Sequence, residues 1–220
     1  MKSYPEISGL SKIPYGEQCT AFYKYDGSNI RFEYSKKLGW HRFGTRRRMF
    51  DNTDKEYGRS IELFLNNYAE PIEKVLQDKY SSQDAVIFCE FFGEDSFAGY
   101  HNFNKPFELR VIEVSIHKKG FVLPDEFVKN FSSANIAEVV WSGIITPEFV
   151  ESVIRNDYSL KEGVVVKGSI SGRSPIHSYW MAKIKTRWWL DELKKRSADS
   201  DLFKKSLEDN EREQKCQLNT

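Results

Sequence analysis

Phe22-Tyr23-Lys24-Tyr25-Asp26-Gly27-Ser28-Asn29-Ile30-Arg31 is the stretch that decides how this chain is read. A β-branched and aromatic run, Thr20 to Tyr25, ends in Asp26-Gly27, a dipeptide that favours tight turns, and a second run, Ile30 to Tyr34, follows. The pattern predicts a β-hairpin with Lys24 at its lip. A lysine at such a rim is either a solvated turn residue or a nucleophile. Desolvation or a neighbouring cation that lowers its pKa from ~10.4 frees the amine to attack an electrophile.

Outward from that stretch, the 220 residues suffice for a sizeable core, and 40% hydrophobic with 15% aromatic content exceeds what a disordered chain carries. The start Met1-Lys2-Ser3-Tyr4-Pro5 lacks an apolar leader, and no apolar run approaches the ~20 residues that span a bilayer. We expect a cytoplasmic protein with no membrane partner. Cys19, Cys89 and Cys216 are odd in number and contain no Cys-x-x-Cys pair, and His41, His101, His117 and His177 are scattered. Neither a disulfide framework nor a zinc site is indicated. A net charge of +1 announces no polyanion partner, so nucleic-acid binding has to rest on local patches.

Trp40 to Phe43 reads as a third short strand, and it leads into Gly44-Thr45-Arg46-Arg47-Arg48. With Arg42, these arginines form either a solvated face or a set of bidentate phosphate contacts. Between Asp54 and Tyr80, Ile61, Phe64, Leu65, Tyr68, Ile72, Val75 and Leu76 fall on one helical stripe, with Pro71 starting a second segment. Val86 to Phe92 reads as a buried strand in which Glu90 shares an apolar face with Val86, Phe88 and Phe92 and therefore needs a partner. Phe107 to Ile116 is the next strand, with Phe107, Leu109 and Val111 alternating against Arg110, Ile112 and Val114. Pro124 to Phe131 and Pro147 to Asn156 read as covering helices, the second capped by Thr146.

Glu162 sits where a loop enters the strand-like run Gly163 to Lys167. In the strand Ser178 to Lys185, alternation puts Lys183 and Lys185 on one face, ~7 Å apart at ~3.3 Å per residue, and Ala182 and Ile184 on the other. Such a pair either straddles a phosphate chain or protects an edge strand. Trp188 to Leu193 opens an amphipathic helix, and beyond Lys194 the sequence turns charged and is expected to fray.

Lys24-x-Asp26-Gly27 with Ser28-Asn29 resembles motif I of the covalent nucleotidyltransferases, the superfamily of ATP-dependent polynucleotide ligases and mRNA capping enzymes, and most of all its phage-type RNA ligases. Stretches similar to motif Ia (Gly44-Thr45-Arg46), motif III (Glu90), motif IIIa (Phe107 to Ile116), motif IV (Glu162-Gly163) and motif V (Lys183, Lys185) follow in the family's order. The resemblance implies an α+β fold of two antiparallel sheets flanked by helices, with ATP in the cleft between them. It implies that Lys24 attacks the α-phosphate of ATP to form lysyl-AMP, that AMP passes to a 5′-phosphate end, and that a 3′-hydroxyl seals it. On this reading Asn29, Arg46, Glu90 and Ile112 contact the nucleotide, with Arg47 as fallback for Arg46. Glu162 binds Mg2+ or Mn2+, and Lys183 and Lys185 contact the phosphates. RNA ends, in single strands or at a nick in a duplex, are the implied partner.

The sequence departs from the family at Ile112, where relatives place an aromatic against the base, and at Tyr23, where they often carry an acidic residue. Residues 1–187 are expected to form the nucleotidyltransferase domain, and 188–220 a helical appendage and charged tail too short for an oligonucleotide-binding fold. A minimal ATP-dependent DNA ligase or a capping-type guanylyltransferase would share the motifs. A nucleic-acid-binding module that has lost its chemistry is the alternative of another class.

Overall fold

The computed structural model describes residues 3–173, 179–198 and 200–218. Contacts divide the chain into two compact units. One comprises the residues up to Pro5 with Gly27–Glu94 and His101–Ala137; the other comprises Glu6–Asp26, Asp95–Tyr100 and the residues from Glu138 on.

The first unit is a six-stranded antiparallel sheet built from β2 (Ser28–Ser35), β3 (Gly39–Thr45), β4 (Met49–Phe50), β5 (Ala85–Gly93), β6 (Phe107–Ile116) and β7 (Gly120–Phe121), in the order β4-β3-β2-β5-β6-β7. One face is a core of aromatics. Phe32 stacks on Phe64 of α1 (Gly58–Asn67) at 3.8 Å between centroids, and Ile72 and Leu76 of α2 (Ala69–Tyr80) and Phe127 and Phe131 of α3 (Pro124–Phe131) are buried as well. Pro71 lies in the first turn of α2, where a missing N–H costs nothing. Leu65, assigned to the buried stripe from its spacing, is exposed.

The second unit is a four-stranded antiparallel sheet of order β10-β9-β1-β8, from β1 (Gln18–Lys24), β8 (Val139–Ile144), β9 (Gly163–Ser169) and β10 (Tyr179–Lys185). Ser178, the expected start of the last strand, lies outside the described residues, as does His177. Ala21, Val164, Val166, Ala182 and Ile184 pack with Phe149, Val150 and Val153 of α4 (Pro147–Arg155), and Thr146 caps that helix by accepting from Phe149 N at 3.3 Å. Helices α5 (Arg187–Ser197) and α6 (Asp201–Leu218) follow. The charged segment beyond Lys194 does not fray as expected: Phe203 and Leu207 pack against Phe97, Trp189 and Leu193.

The expected hairpin is not formed. β1 and β2 belong to different sheets, and Asp26-Gly27 is the crossing between them rather than a turn. Gly27 is demanded by space, because a Cβ there would lie 2.6 Å from the carbonyl oxygen of Phe91. A dipeptide read locally as a turn signal is in fact a point of close backbone approach.

Candidate active site

In the second unit one face of the sheet holds nearly all the charge. Lys24 and Lys185 both lie opposite Gly163 in register, one on each side of β9, and Lys183 lies opposite Val165. Ala182 and Ile184 are fully buried on the other face, so the strand alternation aims Lys183 and Lys185 together. Gly163 has φ +149°, and a Cβ would meet the Ile184 carbonyl oxygen at 2.0 Å. A side chain there would push β9 away from β10, the strand that carries Lys183 and Lys185.

Glu162, at the mouth of β9, accepts from both lysines. Lys24 Nζ lies 2.9 Å from Oε2 and Lys185 Nζ 3.1 Å from Oε1, while the carboxylate is 3% exposed. Burial alone would raise the carboxyl's pKa, but the two ammonium groups outweigh it and hold Glu162 below the usual carboxylate range. Lys185 is shifted down, by burial first and by the nearby Lys24 cation, against the pull of Glu162.

Asp26 stands two residues beyond Lys24 and is missing from the site read off the sequence. Both its oxygens accept from Ala98 N at 2.9 Å, and Oδ2 also accepts from Trp189 Nε1 at 2.8 Å. Burial and then Glu162 raise its pKa, opposed by Lys24 and the two donors. The Trp189 ring also lies 3.8 Å from Lys185 Nζ, a cation–π contact. Thr186 fixes this corner: its hydroxyl donates to the Lys161 carbonyl at 3.0 Å and accepts from Trp189 N at 3.1 Å, and its N–H donates to the Glu162 carbonyl at 2.9 Å. The sequence signal available was Thr186 as an N-cap before two tryptophans, with Asp26 after the lysine.

The first unit gathers the other predicted residues. Asn29 of β2, Glu90 of β5 and Arg110 of β6 are direct cross-strand neighbours. Glu90 is half-buried, between fully buried Phe88 and half-buried Phe92 in its row, while Ile87, Cys89 and Phe91 of the alternate row are fully buried. A bulge opposite Phe88 and Cys89 shifts β6 by one residue, so Val114 joins Leu109 and Val111 in the core and the expected alternation stops at Ile112, which is half-buried. Tyr4 packs on Phe88 and Phe121 with centroids 5.0 and 6.4 Å away, and its phenol is pushed well up by burial, then by Glu113 and Glu90. Arg46 is exposed and donates to the Pro5 carbonyl at 3.4 Å, Arg47 is exposed, and Arg48 is spent on Asp54 and Glu56.

Among the described residues no group of three or more His, Cys, Asp or Glu is placed to hold a metal ion. A single carboxylate suits magnesium, which takes few protein ligands and completes its shell with water and phosphate oxygens. Glu162 is the fitting ligand, provided one ammonium yields its oxygen. No helix among the described residues is long and apolar enough to cross a membrane.

No family model and no curated protein sequence matches the chain. The fold does match solved structures. A Naegleria gruberi RNA ligase with PPi superposes at TM-score 0.62 and 16% identity, over 89% of this chain and 59% of that one. A mutant of that ligase with AMP and Mn gives 0.60 and 11%, over 87% and 58%. An archaeal ATP-dependent RNA ligase gives 0.62 and 15%, over 89% and 52%. This chain thus has the nucleotidyltransferase fold of ATP-dependent RNA ligases and spans less than 60% of the length of those solved chains.

Proposed function

We propose that the protein is an ATP-dependent RNA ligase that works through a covalent lysyl-AMP at Lys24. One observation carries the reading: in a chain with this fold, Lys24 and Lys185 converge on the two oxygens of buried Glu162. The first step is attack of the neutral Lys24 Nζ on the α-phosphate of ATP. The N–P bond forms as the bond to the bridging oxygen breaks, pyrophosphate leaves, and the nitrogen gives up one proton to solvent and keeps the other in the phosphoramide. Lys24 rests as one of two ammonium groups sharing one carboxylate. When Glu162 is engaged elsewhere the like charges lose their common counter-ion, and shedding a proton from Nζ relieves them. Magnesium held by Glu162 would supply positive charge to the phosphate oxygens.

Lys183 and Lys185 neutralise the charge that spreads over the phosphates during displacement. On this reading Asn29, Arg46, Glu90 and Ile112 hold ribose and base. AMP then passes from Lys24 to a 5′-phosphate end of RNA, and a 3′-hydroxyl attacks that activated end and expels AMP. Residues 1–187 form the adenylation domain on this reading, with 188–220 as its helical appendage. The test is incubation with α-labelled ATP and magnesium followed by a denaturing gel. Wild type takes up an acid-labile, alkali-stable label and Lys24→Ala takes up none; label retained by Lys24→Ala overturns the assignment.

A further inference from the structure

The two adjacent tryptophans of α5 have opposite fates: Trp189 is 2% exposed and Trp188 is 52% exposed. Helical geometry explains the arrangement. Trp189, Leu193 and Ser197 form the buried side, and Arg187, Trp188, Asp191, Lys194 and Lys195 form one outward stripe. Residues seven apart lie almost in line, so Trp188 sits above Lys195 and Arg187 above Lys194. Among the described residues neither Arg187 nor Lys194 is in an ion pair, and Lys195 has only Glu192 at 3.8 Å. Three cations, with Asp191 on the stripe and Glu192 beside Lys195, therefore lie around an exposed indole, three residues along the chain from Lys185. A single exposed apolar residue means little. An exposed indole beside the row of Arg187 and Lys194 and in line with Lys195 combines a stacking surface with charges spaced along a backbone, which is what an unpaired nucleic-acid strand requires.

We propose that this face of α5 is the docking surface for the RNA strand, with a base stacked on Trp188 and phosphates on Arg187, Lys194 and Lys195. The proposal rests on the ligase reading and names where its polynucleotide binds. The arginines of β3 and the turn after it are the weaker candidate, because Arg48 is tied to Asp54 and Glu56, and Arg42 lies 3.7 Å from Glu33.

The experiment measures anisotropy of a fluorescent 5′-phosphorylated 12-nucleotide RNA across a salt series, with ATP labelling of Lys24 run on the same preparations. Trp188→Ala should weaken binding about tenfold, the scale of one stacked base, at unchanged salt slope, and Trp188→Phe should recover most of it. Arg187→Gln with Lys194→Gln should flatten the slope of log K against log salt by about 1.4, from ~0.7 per phosphate contact on a single strand. Trp188→Ala and the double glutamine variant binding RNA like wild type, with Lys24 labelling intact, would overturn the proposal. A wild type that binds RNA through this face but takes up no label would sink the ligase reading and leave the face standing.

Discussion

The two units arrange their candidate site residues differently. In the four-stranded unit two half-buried lysines, Lys24 and Lys185, share the one buried carboxylate of Glu162, while half-buried Asp26 accepts from Trp189 and Ala98. In the six-stranded unit Asn29, Glu90 and Ile112 are half-buried and Arg46 is exposed. Buried, mutually oriented charge is costly to assemble and needs little reorganisation when charge develops in a reaction. Partly exposed polar groups suit recognition. On the proposed reading Lys24, Glu162, Lys183 and Lys185 serve bond making and Asn29, Arg46, Glu90 and Ile112 serve nucleotide affinity, and mutations can test it.

The largest effect should come from Glu162→Ala, which leaves two lysines without their carboxylate. A loss of about 3–5 kcal/mol in stability is expected, together with at least about 100-fold slower lysine labelling. A thermal melt and a labelling time course check it, and an unchanged melting temperature would show that the pair is not held together in solution. Lys183→Ala and Lys185→Ala should each slow labelling by at least about 100-fold as well, Lys185 also losing its place over Trp189. Normal labelling by Lys183→Ala would mean that its side chain serves only the surface. For the other unit, Asn29→Ala, Arg46→Ala and Glu90→Ala should raise the KM for ATP roughly tenfold while moving kcat less, the signature of lost binding rather than lost chemistry. If kcat falls as steeply as in the lysine variants, the division of labour proposed for these residues is wrong.

The smallest effect is on pH dependence. Glu162 has a folded pKa below its ordinary value of 4.5, so its stabilisation is present above that value and lost as pH falls through the lower folded pKa. Wild type should therefore lose stability below about pH 4.5, and Glu162→Gln should lack that component of the slope when the two are compared by acid titration of their circular dichroism.

Much of this was legible in the chain because motifs and alternation are local. Lys24, Glu162, Lys183 and Lys185 could be picked out, and Thr146 could be read as a cap, from a few neighbouring residues each. What escaped depended on distant contacts. Asp26-Gly27 reads as a turn until the Phe91 carbonyl is placed beside Gly27. The parity of β6 fails at Ile112 because the bulge lies in its pairing with β5. Phe203 and Leu207 look too sparse to order a charged helix until Phe97 is found beneath them. The convergence of Lys24 and Lys185 on Glu162 required the register of three strands, which no window of sequence contains.

The strand order β10-β9-β1-β8 also governs when the site can exist. β1 is made early, yet its partners β8 and β9 begin at Val139 and Gly163, and Lys24 meets its carboxylate 138 residues downstream. All but a few residues of the first unit are synthesised in that interval. During synthesis the six-stranded sheet has its strands in hand while β1 waits as an unpaired strand with Lys24 at its end, and loop-closure entropy makes such distant pairing slow. Lys24 is thus among the first groups to be made and among the last to be assembled.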